Sequence, residues 1–277
     1  MGKNGILSAV FVTALALGAG TAQAQTFTMG KECRGKVEAA QQLNEAGDYT
    51  NALAAFDAVH GDCDTKDARE AIQGGRAHAL NGLGRHTEAI DAANRALKVS
   101  KDQSLVGYFE RAIAQEKLGN MDAATEDYNR IIALTEKNQN VKERATIYAK
   151  VADMNARAGK KAEAASYYAK AVELDPGNAD FDVLRGDWAV LGGDYDAAFA
   201  SYDAAMSKGR TGADMYQIRS EARIKQMQDK YGTTNVQALR GKMSPQETAQ
   251  VCAELGKAAE LGMKDMQLDM FSALVCK

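Results

Sequence analysis

Five times between residues 47 and 193 a glycine interrupts a helix-forming stretch, and the residues around each glycine repeat in register. The glycines are Gly47, Gly84, Gly119, Gly159 and Gly193, spaced 37, 35, 40 and 34 residues apart. Five residues after each stands an alanine: Ala52, Ala89, Ala124, Ala164 and Ala198. Nine after it are Phe56, Ala93, Tyr128, Tyr168 and Tyr202, and seven before it are Ala40, Ala77, Ala112, Ala152 and Gly186. The spacing predicts two helices per unit, antiparallel across a tight turn. Small residues let the backbones approach, and the aromatic ring fills the space beside them. A glycine ends the first helix because it adopts positive φ without a Cβ clash. Asp48, Thr87, Asp122 and Asp194, close behind the glycines, are candidate caps for the second helices. One such hairpin cannot bury its apolar stripe alone, so neighbouring hairpins must supply the core. With two prolines in the chain, Pro176 and Pro245, nothing breaks these segments from within.

This grammar resembles the tetratricopeptide repeat, with a period of about 34 residues. The match is sharpest at the end of unit four, where Ala171-Val172-Glu173-Leu174-Asp175-Pro176-Gly177-Asn178 follows the family's helix-ending A-x-x-L-D-P-x-N. Residues 33–212 read as five units. Unit four alone has the closing proline, unit two has Ala93 at the aromatic position, and short insertions precede units two and four. The resemblance implies an all-α, right-handed superhelical stack of antiparallel helix pairs, whose first helices line a concave groove.

Residues 213–277 depart from the period and read as a divergent sixth hairpin with a capping helix. Ala213 to Lys230 reads as a helix and Tyr231 to Met243 as an inserted loop. Ser244-Pro245-Gln246-Glu247 is a helix start, with serine as cap, proline in the first turn and glutamate three residues on. Its helix carries Lys257-Ala258-Ala259-Glu260-Leu261, an echo of Lys170-Ala171-Val172-Glu173-Leu174. A last helix, about Lys264 to Val275, would cover the apolar end of the stack.

Residues 1–24 read as an export signal: Lys3, an apolar run from Ile6 to Leu17, and Ala22-Gln23-Ala24 as a small-x-small cleavage site. The rival reading is an uncleaved anchor, against which the run is short for a membrane span. No cysteine ends the signal to accept a lipid. Cleavage near Ala24 would leave a short segment, 25–32, before the first helix and direct the protein to a bacterial periplasm or outside the cell, with no membrane insertion. It removes Lys3 and no acid, leaving 33 basic against 37 acidic residues, a net −4. No basic stripe suggests a nucleic-acid partner. Cys33, Cys63, Cys252 and Cys276 then meet an oxidising compartment, and four cysteines allow three pairings. Near neighbours are expected, Cys33 with Cys63 and Cys252 with Cys276, because antiparallel helices bring the two ends of a hairpin together. The first bridge would contribute about 3–4 kcal/mol in the chain-entropy view. Zinc is the alternative, but no CxxC exists and His60 alone lies near a cysteine.

Catalytic patterns are missing from the sequence. His60, His78 and His86 form no metal spacing, His86 reading as a turn residue. No G-x-S-x-G is present, and Gly74-Gly75 and Gly192-Gly193 lack the strand-then-helix setting of a phosphate loop. No cofactor is expected, and the chain reads as a non-enzyme. On the first helices, the groove-facing positions of unit three are Val106, Phe109, Glu110, Ile113 and Glu116. Neighbouring units add Glu38, Gln41 and Asn44, His78 and Asn81, Lys150, Asp153 and Arg157, then Val183 and Asp187. Phe109 and Ile113 share a helix face and offer an apolar anchor for a peptide or helix. The competing arrangement packs them against unit two, where Gly74 and Gly75 leave room. The family's Lys, Asn and Arg cluster for a C-terminal carboxylate is absent: its places hold Val37, Gly74, Phe109 and Ala149 with Gln41, His78, Ile113 and Asp153. Arg76, Arg111 and Arg185, each eight residues before a pivot glycine, are expected to pair with Asp91, Asp127 and Asp203 and hold hairpins in register.

The expectation is a non-catalytic scaffold of the cell envelope that binds a protein or peptide. A self-associating structural component and a regulatory subunit of an envelope enzyme are the alternatives.

Overall fold

The computed structural model describes residues 29–137 and 140–276; the export signal read at residues 1–24 lies outside them. All regular structure among the described residues is α-helical, and it divides into two compact units, one ending at Leu174 and the other starting at Asp175. The first holds α1 (Lys31–Glu45), α2 (Tyr49–Val59), α3 (Lys66–Gly82), α4 (His86–Ser100), α5 (Leu105–Lys117), α6 (Met121–Leu134), α7 (Val141–Arg157) and α8 (Lys161–Leu174). The second holds α9 (Ala179–Leu191), α10 (Tyr195–Ser207), α11 (Ala213–Tyr231), α12 (Val236–Lys242), α13 (Pro245–Glu260) and α14 (Met266–Val275). In the first unit consecutive helices pair as hairpins. Helices α2, α4 and α6 also pack on the helix that follows, and α1, α3 and α5 lie side by side.

The five pivot glycines have φ between 73° and 83°. Around each, the same two hydrogen bonds close the turn. The glycine N–H reaches back three residues, as from Gly47 to the Asn44 carbonyl at 3.0 Å, and the next N–H reaches back five, as from Asp48 to Leu43 at 2.9 Å. These bonds satisfy carbonyls that the helix end would leave bare, and a side chain at the glycine would strain the left-handed backbone. Asp48 and Asp194 cap α2 and α10, accepting the N–H of Asn51 and Ala197. Thr87 and Asp122 do not cap. The capping place is the residue directly after the glycine, which in units two and three is Arg85 and Asn120. Asp122 sits in the first turn of α6 and meets Lys160 at 2.8 Å.

The repeated alanines are buried, and Phe56, Tyr128 and Tyr202 are fully enclosed. A Cβ at Gly186 would stand 2.3 Å from the Tyr202 ring, and one at Gly75 would stand 2.2 Å from Phe56. The aromatic ring thus rests on backbone, and the small residue opposite is a condition for it. Enclosing an aromatic side chain of this kind stabilises by about 1.5–3 kcal/mol.

The arginine series follows a different register from the expected one. Only Arg111 meets its expected acid, holding Asp127 at 2.6 Å, while a second guanidinium nitrogen donates to Asn94 at 2.6 Å. Arg76 pairs with Asp57, and Arg185 binds Asp182 at 2.9 Å and Ser201 at 3.0 Å. Asp203 pairs with Arg219. Asp57, Asn94 and Asp203 all lie ten residues after a pivot glycine, so these contacts tie the second helix of one hairpin to the first helix of the next.

Cys33–Cys63 and Cys252–Cys276 stand at disulfide distance, with Cα atoms 5.7 and 5.6 Å apart. The region read as an inserted loop contains a helix, α12. Asn235 caps it, and Leu239, its buried residue, points into a core of Ile224, Met227, Val251, Leu255 and Phe271. α11 accordingly packs mainly on α13, and α12 packs on α14. Ser244 and Glu247 form the reciprocal capping box at the start of α13.

Candidate functional site

A cavity of about 490 Å³ opens along the first helices of the first three hairpins. Gln41, Asn44 and Glu45 of α1 form one side. Asp67, Glu70, Ala71, Gly74, Gly75 and His78 of α3 form the middle. Leu105, Val106, Phe109 and Glu110 of α5 form the other side, with Ile131 of α6 beneath. Residues 70, 74 and 78 are four apart, so they form one face of α3. The cavity has depth there because its central helix carries glycines. A Cβ at Gly74 would fall 2.6 Å from a Val106 methyl, so Val106 occupies the space that a side chain would fill. Phe56 rises beneath Gly75 from the other side. Phe109 lies half-buried along the wall, its ring edge-on to Tyr128 with centroids 6.1 Å apart.

The polar side of the wall is built on Glu110, which is 3% exposed. His78 Nδ1 lies 2.8 Å from its Oε1, and Asn81 Nδ2 donates to its Oε2 at 2.9 Å and to its backbone carbonyl at 2.8 Å. A buried carboxylate is costly unless paired and hydrogen-bonded, and here the preceding hairpin supplies both partners. The bond from Glu110 raises the His78 imidazole above its ordinary value of 6.5, with burial opposing. The Tyr49 ring packs edge-on against His78, centroids 5.9 Å apart. Asn81 also meets His86 Nδ1 at 3.2 Å, which places His86 at the head of α4 as a partner of the same network.

Across the cavity, Asn44 donates from Nδ2 to the Gly75 carbonyl at 2.9 Å, while its Oδ1 is buried without a partner. Asp67 accepts the Met29 N–H at 2.7 Å and so ties the chain entering α1 to the start of α3. Glu45 and Glu70 make no ion pair with any described cation.

Of the residues expected in the groove, Val106, Phe109, Glu110, His78, Gln41 and Asn44 line this cavity, and Asn81 stands behind it. Ile113 is half-buried outside the lining. Lys150 pairs with Glu116 at 2.9 Å, and Asp153 with Arg157 at 2.7 Å. Asp187, in the second unit, accepts the Tyr202 hydroxyl at 2.8 Å inside its own hairpin. The alternative for Phe109 divides between residues: Val106 takes the room over Gly74, and Phe109 keeps one side on the cavity. Glu45, Asp67, Glu70 and Leu105 belong to the lining although sequence reasoning passed over them. A signal existed, since stepping back by helical turns from His78 and forward from Gln41 reaches Glu70 and Glu45.

The fold has known counterparts. A sequence model described as tetratricopeptide repeat matches residues 75–140 and 151–213. No curated protein matches the chain by sequence. Among solved structures, PilW, described as a widely conserved type IV pilus biogenesis factor, superposes with a TM-score of 0.63 at 15% identity, covering 87% of this chain and 98% of its own. A tetratricopeptide repeat protein from Parabacteroides merdae does so with a TM-score of 0.57 at 14% identity, covering 90% of this chain and 100% of its own. A MamA fragment from Desulfovibrio magneticus RS-1 follows with a TM-score of 0.53 at 17% identity, over 66% of this chain and 98% of that one. Identities this low carry the fold and nothing of the partners. The repeated turns and the matched segments agree: residues 75–140 and 151–213 are built of tetratricopeptide repeats, and the superpositions give the same fold.

Proposed function

We propose that the protein is a non-catalytic scaffold of the bacterial cell envelope that holds a segment of a partner protein in the groove of α1, α3 and α5. The observation that carries this reading is the cavity itself. It combines apolar Leu105, Val106 and Phe109 with a few fixed polar groups, and its volume falls within the roughly 300–1,000 Å³ common for binding sites. The one histidine of the lining is spent on Glu110, which Asn81 also holds, an arrangement that stiffens the wall. Export is supported by Lys3, the apolar run Ile6 to Leu17 and Ala22-Gln23-Ala24. Both cysteine pairs at bonding distance suit an oxidising compartment.

In-cell crosslinking with mass spectrometry, comparing the natural chain with Phe109→Ala, tests the reading. The variant is expected to lose most partner capture while far-UV circular dichroism keeps its helical signal. Unchanged capture would refute the groove as the binding surface. A second reading, self-association through the C-terminal end, is favoured by Met266 and Met270 on α14, which are 84% and 62% exposed. Sedimentation of a Met266→Asp, Met270→Asp variant separates the two, because only the second reading predicts loss of an oligomer.

A further inference from the structure

Resting on the groove reading above, we infer that its occupant is a peptide segment carrying a lysine or arginine beside an aliphatic or aromatic residue. The lining carries four carboxylates, Glu45, Asp67, Glu70 and Glu110, and one ionisable base, His78. Glu110 is satisfied within the wall by His78 and Asn81, and Asp67 is engaged by backbone N–H groups of Met29 and Ala68. Glu45 and Glu70 remain, on neighbouring helices, without an ion pair among the described residues, and Glu45 acts only at longer range on His78. Of the cations closest to Glu70 on α3, Arg69 pairs with Asp64 at 3.4 Å, and Lys66, one turn before Glu70, stands outside the lining and makes no ion pair with it.

A second feature is independent of charge. Asn44 is 6% exposed and lines the cavity, and its Oδ1 is buried with no donor in reach. A buried acceptor left unpaired costs about 1–3 kcal/mol, and a turn of the Asn44 amide toward the cavity would offer it to a ligand donor. Acceptors therefore dominate the polar side of the cavity, while Leu105, Val106 and Phe109 supply the apolar side. A cationic side chain has donors and no acceptor, and its alkyl stem can lie along the apolar wall with the charge toward Glu45 or Glu70. A free carboxylate or phosphate would meet like charge and no donor array. The polarity is thus opposite to that of a site built to grip a C-terminal carboxylate.

The test is a positional-scanning array of synthetic decapeptides probed with the full chain, followed by fluorescence anisotropy on the best sequence. Selection of Lys or Arg next to Leu, Ile, Phe or Tyr is expected. Glu45→Gln with Glu70→Gln should then weaken the selected peptide about tenfold and flatten its salt dependence, while Phe109→Ala weakens it irrespective of salt. Selection of acidic or uncharged peptides that still depend on Phe109 would overturn the inferred charge and leave the groove reading standing. Selection of no peptide would overturn both. Helicity and thermal midpoint of the glutamine variant are measured alongside. Both residues are outside the hydrophobic core, and a weakened peptide with an unchanged midpoint is the supporting result; an unchanged affinity is the opposing one.

Discussion

Hairpins α1 to α8 and the closing helices α11 to α14 bury comparable helices with different side chains. In the hairpins the close contacts are alanines and glycines set against one aromatic ring, as with Phe56 over Gly75. In the closing helices the core is Ile224, Met227, Leu239, Met243, Val251, Leu255 and Phe271, large flexible side chains without a repeated partner. The first arrangement fixes how near two backbones can come, so each unit reproduces the last and the first helices align into a groove. The second fills whatever space an irregular set of helices leaves, and a short helix such as α12 can be accommodated in it. Repetition here is a property of small residues more than of hydrophobicity.

Phe56→Ala should cost the most, about 3–5 kcal/mol, because a fully enclosed ring resting on backbone leaves a cavity that a helix pair cannot easily close. Urea unfolding followed by circular dichroism measures it, and a loss below 1 kcal/mol would show that the ring is not the keystone of its hairpin. Cys252→Ser with Cys276→Ser should cost about 3 kcal/mol in the chain-entropy view. The effect should be confined to α11–α14 in hydrogen exchange. Faster exchange in α1–α8 as well would break the distinction between the two regions.

The smallest effects concern pH, and they run in opposite directions. His78, raised by Glu110, contributes stability that is complete below its ordinary value of 6.5 and is lost as pH rises through the raised one. Glu247, drawn down to about 2, chiefly by Lys230, contributes stability that is complete above its ordinary 4.5 and is lost as pH falls through about 2. The urea midpoint should therefore sag on the alkaline side through the first region and on the acid side through the second. His78→Gln should flatten only the former, and Glu247→Gln only the latter. Identical profiles for both variants would contradict the assignment.

Much of the scaffold was legible in the residues because the pivot glycines carry a backbone demand: all five have positive φ. The caps were only half legible. Thr87 and Asp122 are good capping residue types, yet the turn geometry assigns the place to the residue beside the glycine, where Arg85 and Asn120 stand. The α12 helix was hidden because seven residues with Leu239 as their buried anchor show no apolar periodicity. In the groove, counting back from the glycines found the wall residues of α5 but not the carboxylates of Glu45 and Glu70, which sit nearer the ends of their helices. Helical spacing from His78 and Gln41 reaches both, but their importance arises only where three helices meet side by side.

The central claim, that a partner segment lies along α1, α3 and α5, is tested most directly by photocrosslinking. A benzophenone amino acid is placed at position 109, or at exposed Glu126 on α6 as the control, and the peptide selected on the array is added. The account predicts a crosslink from position 109 that excess unlabelled peptide abolishes, with none above background from position 126. Equal yields from the two positions, or a crosslink from 126 alone, would contradict it.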